Sequence, residues 1–257
     1  EHLYAMLEML RKEGQKKVYI HLFTDGRDAP PYVSATYLKE LRKVLQPHEK
    51  IASIMGRFYA MDRNKIWERT KQAYDAMVLG KGKQCSASAE DAIIKAYARG
   101  ETDEYISPTV LCENDKPIAT IQDNDSIFFF NARSDRARQL TKTFVQKKFR
   151  KQNPGAFTRK KYPKNIRFVA MTDFGPDLPG IFTAFPSADL EQCLPMALGR
   201  DMKQLYISET EKYAHVTYFM NGGYAQAVNG EKRKLIKSSG HYSYAEHPEM
   251  RAHEVTN

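Results

Sequence analysis

Residues 17–31 read KVYIHLFTDGRDAPP and decide how the rest of the chain is interpreted. KVYIHLF is rich in β-branched and aromatic residues, which is typical of a strand. The glycine and two prolines that follow indicate a loop. Arg27 and Asp28 lie in this loop, a few residues beyond the predicted strand. The stretch therefore predicts a buried strand whose carboxyl end delivers charged side chains.

Strands and helices alternate on both sides of this stretch. Apolar residues at helical spacing predict helices, and short β-branched or aromatic runs predict strands. We expect Ser34 and Ser88 to cap helices through their hydroxyl groups. The predicted helices are 3–10, 34–44, 64–79, 88–99 and 135–149, and the predicted strands are 17–23, 51–55, 126–130 and 166–171. This alternation indicates an α/β fold, a layered sheet flanked by helices. The fully apolar 126–130 predicts a strand covered on both faces.

The pattern changes after Pro186, where we place a domain boundary. The first predicted domain is 1–186 and the second is 187–257. In the second domain we expect a helix near 190–198 and strands at 204–207 and 215–220. The charged segment 209–215 between those strands is interpreted as a solvated turn.

Composition narrows the class of protein. The chain has 257 residues, 42% hydrophobic residues and a formal net charge of +9, which suggests anionic partners. Nothing in the sequence predicts a membrane partner, since no apolar run approaches about 20 residues. Cys85, Cys112 and Cys193 are far apart and form no C-x-x-C pair, so we expect three free thiols in a reducing cytoplasm.

Five arginines follow the carboxyl ends of three predicted strands. In open α/β sheets ligands bind at that edge. Guanidinium groups grip phosphate or carboxylate bidentately, and five of them together would repel one another without an anion. The alternative is that each arginine forms a surface ion pair with a neighbouring aspartate. The residues are Arg27, Arg57, Arg63, Arg133 and Arg136.

Two more residues near the first arginine loop are candidates. Asp28 among arginines should keep a low pKa and could accept a hydrogen bond or a proton from a ligand hydroxyl. Its alternative role is to cap a turn. His21, inside the first strand, could bind a ligand hydroxyl or phosphoryl group, or could be an ordinary core histidine.

The basic run 147–161 lacks the interleaved aromatic residues of a base-stacking platform, so we interpret it as a solvated surface. A nucleic-acid-binding module remains an alternative function, because this run and the net charge would favour it. In that case binding would depend on the lysines of the run and not on Arg57.

Four blocks in this order resemble the signatures of the cofactor-independent phosphoglycerate mutases, a branch of the alkaline-phosphatase-like superfamily. They are HLFTDGRDAPP (21–31), GRFYAMDRNKIWERTKQAYDAM (56–77), FFFNARSDRARQL (128–140) and ISETEKYAHVTYFMNGG (207–223). The resemblance implies interconversion of 3-phosphoglycerate and 2-phosphoglycerate through a phosphoserine, with two divalent metal ions, usually Mn²⁺. The first domain would be the substrate-binding domain, and the second a fragment of the metal-binding phosphatase domain.

Carried over residue by residue, the resemblance implies a set of substrate ligands. Asp28 would act as acceptor or base for the glycerate hydroxyls. Lys212 would meet the transferring phosphoryl group. The implied ligands are His21, Arg27, Asp28, Arg57, Arg63, Arg133, Arg136 and Lys212.

The chain also departs from the family pattern. We find no Asn-Ser nucleophile block and no Asp-His-Gly metal block, so no metal ligand is assigned, and we expect a monomeric fragment that is inactive without the rest of the phosphatase domain. Segment 237–247 differs from the family, and we interpret it as a surface loop despite His241 and His247. Another phosphomutase of the superfamily, such as a phosphopentomutase, is a further alternative.

Overall fold

The computed structural model describes residues 1–186, 190–199, 201–240 and 244–257. The chain divides into two compact units, Glu1–Phe185 and Pro186–Asn257. In the described part, no helix is long and apolar enough to cross a membrane. His241 of the sequence prediction falls outside these residues.

The first unit alternates strands and helices, as predicted. Its helices are α1 (His2–Lys12), α2 (Ser34–Val44), α3 (Arg57–Ala60), α4 (Trp67–Leu79), α5 (Ala89–Ala98), α6 (Ser134–Val145) and α7 (Phe149–Gln152), with a 3₁₀ turn at Asp103–Tyr105. Its strands are β1 (Val18–Thr24), β2 (Glu49–Gly56), β3 (Gln84–Ser86), β4 (Thr109–Glu113), β5 (Lys116–Pro117), β6 (Ser126–Phe129), β7 (Arg167–Thr172) and β8 (Ile181–Phe185). The sequence prediction missed β3, β4, β5 and β8, of which the longest has five residues.

The strands of the first unit form two sheets. One has the order β1-β2-β4-β3, with β5 paired to β4, and the other has the order β6-β7-β8. β1 and β2 are parallel, and so are the three strands of the second sheet, whereas β2 and β4 are antiparallel. From the sequence, we expected the three arginine loops to follow strands of one sheet edge. In the structure, these loops follow strands of two different sheets.

A shared apolar core joins the two sheets. Phe23 of β1 packs edge-to-face against Phe129 of β6, with 5.8 Å between ring centroids. Tyr74 of α4 is fully buried and lies 5.3 Å from the ring of Phe144 on α6. The burial of large aromatic side chains between sheets and helices stabilises the unit and holds the strand ends in place.

Helix ends show where local prediction succeeds and where it fails. Ser88 caps α5 as predicted, because its hydroxyl accepts a hydrogen bond from the Asp91 amide at 3.1 Å. The N-terminus of α2 is different: the buried Asp103 carboxylate accepts the amides of Val33 and Ser34 at 2.8 and 2.9 Å. The predicted Ser34 cap was wrong, because a distant carboxylate takes its place.

The prediction that both faces of 126–130 are covered was wrong, and the prediction of a solvated surface at 147–161 was only partly correct. β6 is an edge strand with only one face on the core, and Phe128 on its other face is 36% exposed. The basic run is partly structural, since Phe149 is buried and Arg159 donates to the carbonyls of Thr143 and Gln146 at 2.7 and 3.0 Å. Arg159 thereby satisfies carbonyls at the end of α6 that have no helical partner.

The cysteine prediction needs a correction as well. Cys85 and Cys112 form a disulfide with 5.9 Å between their Cα atoms, and Cys193 is free. The two residues lie on β3 and β4, which pair directly. Sequence spacing could not reveal this, because the pairing of the two strands brings together cysteines 27 residues apart.

The second unit contains a small parallel sheet and short helices. Its elements are α8 (Leu194–Ala197), β9 (Leu205–Glu209), α9 (Thr210–Ala214), a π-helix (His215–Phe219), β10 (Lys232–Ile236) and α10 (Ala252–Thr256), with β9 paired to β10. The strand prediction for 204–207 was correct. The turn at 209–215 and the strand at 215–220 were wrong, because the chain turns helical after β9 and the Thr217 hydroxyl bonds the Tyr213 carbonyl at 2.7 Å.

Gly56→Ala should destabilise the first unit by about 3 kcal/mol, because the new Cβ would lie 2.1 Å from the carbonyl oxygen of Glu104. Gly56 has φ −71°, so the expected cost is steric. Urea denaturation followed by the fluorescence of the single Trp67 measures it. The control is Gly14→Ala, which has a positive φ but open space and should cost about 1 kcal/mol. A smaller effect at Gly56 than at Gly14 would contradict the close approach.

Candidate anion-binding site

Arg57 lies at the centre of the candidate site. It directly follows β2, whose last residue Gly56 pairs with Thr24 at the end of β1. The Arg57 side chain is only 5% exposed, and its Nη1 donates to Asp25 Oδ1 at 2.5 Å and to Asp28 Oδ2 at 2.7 Å. The parallel register therefore brings the first two arginine loops together.

Asp25 organises the first loop. Its Oδ1 accepts the backbone amides of Arg27 and Asp28, both at 3.2 Å, in addition to Arg57. Burial opposes ionisation of Asp25, but the hydrogen bonds from Arg57 and the two amides outweigh burial, so the pKa of Asp25 lies below its usual value. The pKa of Asp28 is also lowered, mainly by the hydrogen bond from Arg57. Both carboxylates are therefore ionised at neutral pH.

Asp135 joins the second and third arginine loops. Its two oxygens accept hydrogen bonds from Arg63 and from Arg133 Nε, the latter at 2.8 Å. Burial raises the pKa of Asp135, but the hydrogen bond from Arg63 and the charge of Arg133 outweigh it, and the pKa is lowered. One carboxylate at the start of α6 thus fixes two guanidinium groups.

Arg136 is the arginine with the least compensated charge. Its Nη1 donates to the Met61 carbonyl at 3.3 Å. Burial, followed by the positive charges of Arg63, Arg57 and Arg27, lowers the pKa of Arg136 to about 10. Direct contacts link the same loops, because Asp28 of the first loop accepts a hydrogen bond from Arg57 and Arg136 of the third loop donates to Met61 of the second.

Two arginines of the site keep buried nitrogen donors without a hydrogen-bond partner in the described part of the chain. Ion pairs join other guanidinium nitrogens of the cluster to Asp25, Asp28, Glu104 and Asp135. Within the described residues, the Nε atoms of Arg57 and Arg136 are buried without a hydrogen-bond partner. The expected pairing with neighbouring aspartates therefore occurs for part of the cluster. An anion would satisfy these two buried donors.

A buried network below the site holds α6 against the second loop. Asp62 Oδ2 accepts hydrogen bonds from Gln139 Nε2 at 2.7 Å and from the Ile66 amide at 3.0 Å. Burial raises the pKa of Asp62. Gln139 Nε2 also donates to the Thr70 hydroxyl at 2.7 Å. These hydrogen bonds fix Asp62, and with it the backbone next to Arg63.

Two candidates from the sequence have other surroundings. His21 Nδ1 lies 2.7 Å from the Ser53 hydroxyl on β2, and burial lowers the pKa of His21 to about 4, so the ring is neutral at pH 7. These contacts resemble those of a core histidine more than those of a ligand-binding one. Lys212 is exposed on α9, which belongs to the second unit.

Sequence reasoning gave no role to Glu104, whose carboxylate lies 3.3 Å from Arg27 Nη1. It lies 77 positions along the chain from Arg27, and no motif pointed to it. Asp25 and Asp135 were visible beside the arginines, and only the structure shows that each accepts several donors.

Within the ranges that the structure describes, no group of three or more His, Cys, Asp or Glu side chains is arranged to hold a metal ion. The described side chains therefore do not fit a metal ion by themselves.

Fold and site together define an α/β protein with a cluster of arginines that suits a small, multiply charged anion. Residues 1–176 match the family model described as the BPG-independent PGAM N-terminus, and residues 185–257 match the metalloenzyme superfamily. The chain belongs to the 2,3-bisphosphoglycerate-independent phosphoglycerate mutase family, as the sequence resemblance indicated.

Several relatives document this membership. The chain is 46% identical over 260 residues to 2,3-bisphosphoglycerate-independent phosphoglycerate mutase 1 of Methanosarcina acetivorans. The match covers all of this chain and 49% of the relative. The corresponding enzyme of Acetivibrio thermocellus is 44% identical over 259 residues, with half of its length covered. The chain thus spans about half the length of the curated relatives it matches.

A solved structure agrees with the fold. The phosphoglycerate mutase of Leishmania mexicana, crystallised at low cobalt concentration, matches with a TM-score of 0.87 and 29% sequence identity. The match covers 99% of this chain and 48% of the other. Metal dependence is common to the family and to the metalloenzyme superfamily matched by residues 185–257.

Asp135→Asn should make the unfolding free energy less dependent on acid pH. The folded-state pKa of Asp135 lies below its ordinary value of 3.8, so its ionised form contributes stability that is present above about pH 4 and is lost as the pH falls further. At pH 7 the variant should lose about 2–4 kcal/mol, because two arginines lose their shared partner. Near pH 2.5 the unfolding free energies of the variant and the wild type should become similar.

The measurement is urea denaturation between pH 7 and pH 2.5. Asp115→Asn, at an exposed turn carboxylate, is the matched control and should follow the wild type at every pH. An equal loss in Asp135→Asn at both ends of the range would show that the Asp135 charge does not stabilise the fold.

Proposed function

We propose that this protein takes part in the interconversion of 3-phosphoglycerate and 2-phosphoglycerate through a phosphoserine, and that this chain provides the substrate-binding arginine cluster. The observation that carries the proposal is Arg136, a half-buried arginine whose buried Nε has no hydrogen-bond partner and whose charge is felt by three other arginines. Such a group favours a bound anion, and membership of the mutase family indicates which anion.

The cluster suits a ligand with a carboxylate at one end and a phosphoryl group at the other. Arg57 and Arg136 carry the buried free donors, whereas the guanidinium group of Arg27 is half-exposed. Arginines from three loops would surround both charged ends, and charge neutralisation of this kind is the main requirement of phosphoryl transfer.

Asp28 suits the role of acceptor or base for the glycerate hydroxyls. Its carboxylate is 69% exposed, so a ligand can reach the oxygen that does not contact Arg57. The lowered pKa keeps it ionised and also makes it a weak base, so accepting a hydrogen bond is its primary role. Taking a proton would require the pKa to rise when the ligand approaches.

We further propose how the two units divide the work. Residues 1–186 would be the substrate-binding domain and residues 187–257 part of the metal-binding phosphatase domain, where exposed Lys212 would contact the transferring phosphoryl group. His21 would bind a hydroxyl or phosphoryl group of the substrate through its neutral ring. Two Mn²⁺ ions would serve the whole protein, which would act as a cytoplasmic monomer.

Arg136→Gln should weaken binding of 3-phosphoglycerate to this chain by about 10-fold or more, because one charge-assisted hydrogen bond contributes about 1.5–3 kcal/mol. Isothermal titration calorimetry at two salt concentrations measures it, and wild-type binding should weaken as salt rises. Arg42→Gln is the matched control, because it changes the net charge by the same amount. Arg42 of α2 pairs with Glu90 of α5 at 2.7 Å and is not part of the arginine cluster.

The outcomes separate the candidate functions. Equal losses in Arg136→Gln and Arg42→Gln would reduce the effect to net charge and contradict the site. Binding of pentose phosphates in preference to phosphoglycerates would favour another phosphomutase. Wild-type heat indistinguishable from a buffer blank at low salt would rule out the arginine cluster as a substrate site.

A further inference from the structure

Arg27 is held far more loosely than the central arginine of the site. Its Nη1 makes a single contact with Glu104 at 3.3 Å, and its side chain is 48% exposed. Arg57, by contrast, is 5% exposed and makes contacts of 2.5 and 2.7 Å with two carboxylates. A charge-assisted hydrogen bond normally measures about 2.7–2.9 Å, so the contact between Arg27 and Glu104 is long and weak.

Glu104, the other partner in this contact, is held rigidly by its backbone. It lies in the 3₁₀ turn Asp103–Tyr105, which packs against both Gly26 and Gly56. A Cβ on Gly26 would lie 2.5 Å from the Glu104 nitrogen, and a Cβ on Gly56 would lie 2.1 Å from its carbonyl oxygen. The Glu104 side chain is 14% exposed.

Asp103 anchors the same turn to the fold. The Thr24 hydroxyl donates to the Asp103 carbonyl at 2.6 Å, and the Tyr97 hydroxyl donates to Asp103 Oδ1 at 2.6 Å. The Asp103 amide in turn donates to the Pro31 carbonyl at 2.8 Å. Arg27 can therefore leave this pair by rotating its exposed side chain, whereas Glu104 is fixed.

We propose that Glu104 holds Arg27 while the site is empty, and that an entering phosphorylated acid competes with Glu104 and draws the Arg27 guanidinium group away from it. The inference rests on the proposed anion site and adds a regulatory residue to it. Glu104 acts as a competing carboxylate that shields Arg27 in the empty site and lowers the affinity of the site for anions.

The charges of the cluster explain why such a carboxylate is useful. Arg27 is one of three arginines whose charge acts on half-buried Arg136. Without a counter-charge, the repulsion between these groups would push the Arg27 side chain into solvent. Because the ion pair is long and half-exposed on the Arg27 side, it limits this repulsion at a small cost to ligand binding.

The test is the affinity of the full 257-residue chain for 3-phosphoglycerate, measured by calorimetry at constant ionic strength. Glu104→Gln should tighten binding about 2- to 5-fold, because the competing charge is removed and the shape is kept. In an Arg27→Gln background the same change should tighten binding less, because Arg27 is no longer there to be released.

Glu113→Gln is the matched control, since it changes the net charge equally at an exposed carboxylate that pairs with Lys50. It should leave the affinity within experimental error. Weaker or unchanged binding in Glu104→Gln, or equal tightening with and without Arg27, would overturn the displacement while leaving the anion site intact. Absence of wild-type binding would overturn the anion site, and the displacement with it.

Discussion

The contact between the backbone of Glu104 and the two glycines at positions 26 and 56 is the constraint on which the candidate site depends. Gly56 ends β2 and Gly26 lies just beyond β1, so this contact fixes both arginine loops relative to one 3₁₀ turn. Asp103, which directly precedes Glu104, caps α2 and accepts a hydrogen bond from the Tyr97 hydroxyl. The position of Arg57 is therefore set by steric fit before any charge is considered.

The charges of the site are arranged on this frame in two ways. Asp25 and Asp135 each accept several donors and fix the arginines they contact, and Asp28 accepts a hydrogen bond from Arg57. Glu104 holds Arg27 through one long contact. Arg136 has the carbonyl of Met61 as its hydrogen-bond partner. A site of this kind is preorganised where ligand charge must be met and adjustable at its exposed side, so ordering one flexible side chain is a small cost of binding.

Local patterns predicted much of the fold correctly. The apolar periodicity of α1, α2 and α4, and the β-branched runs of β1, β2 and β7, produced elements close to those observed, because each buries one continuous face or strip. The short strands β3 and β8 escaped prediction because their stability comes from neighbouring strands. The segment His215–Phe219 alternates like a strand but is a π-helix, since tertiary contacts outweigh weak local preferences.

The sequence by itself determined the chemical identity of the site: five arginines and an aspartate placed just after strands, in blocks that identify the family. Only the tertiary structure decided which carboxylate neutralises which arginine, that Asp103 caps α2, and that Cys85 pairs with Cys112. The physical reason is that residue type sets charge and hydrogen-bonding capacity locally. Burial and pairing, by contrast, depend on strand order and on close packing between segments far apart in the chain.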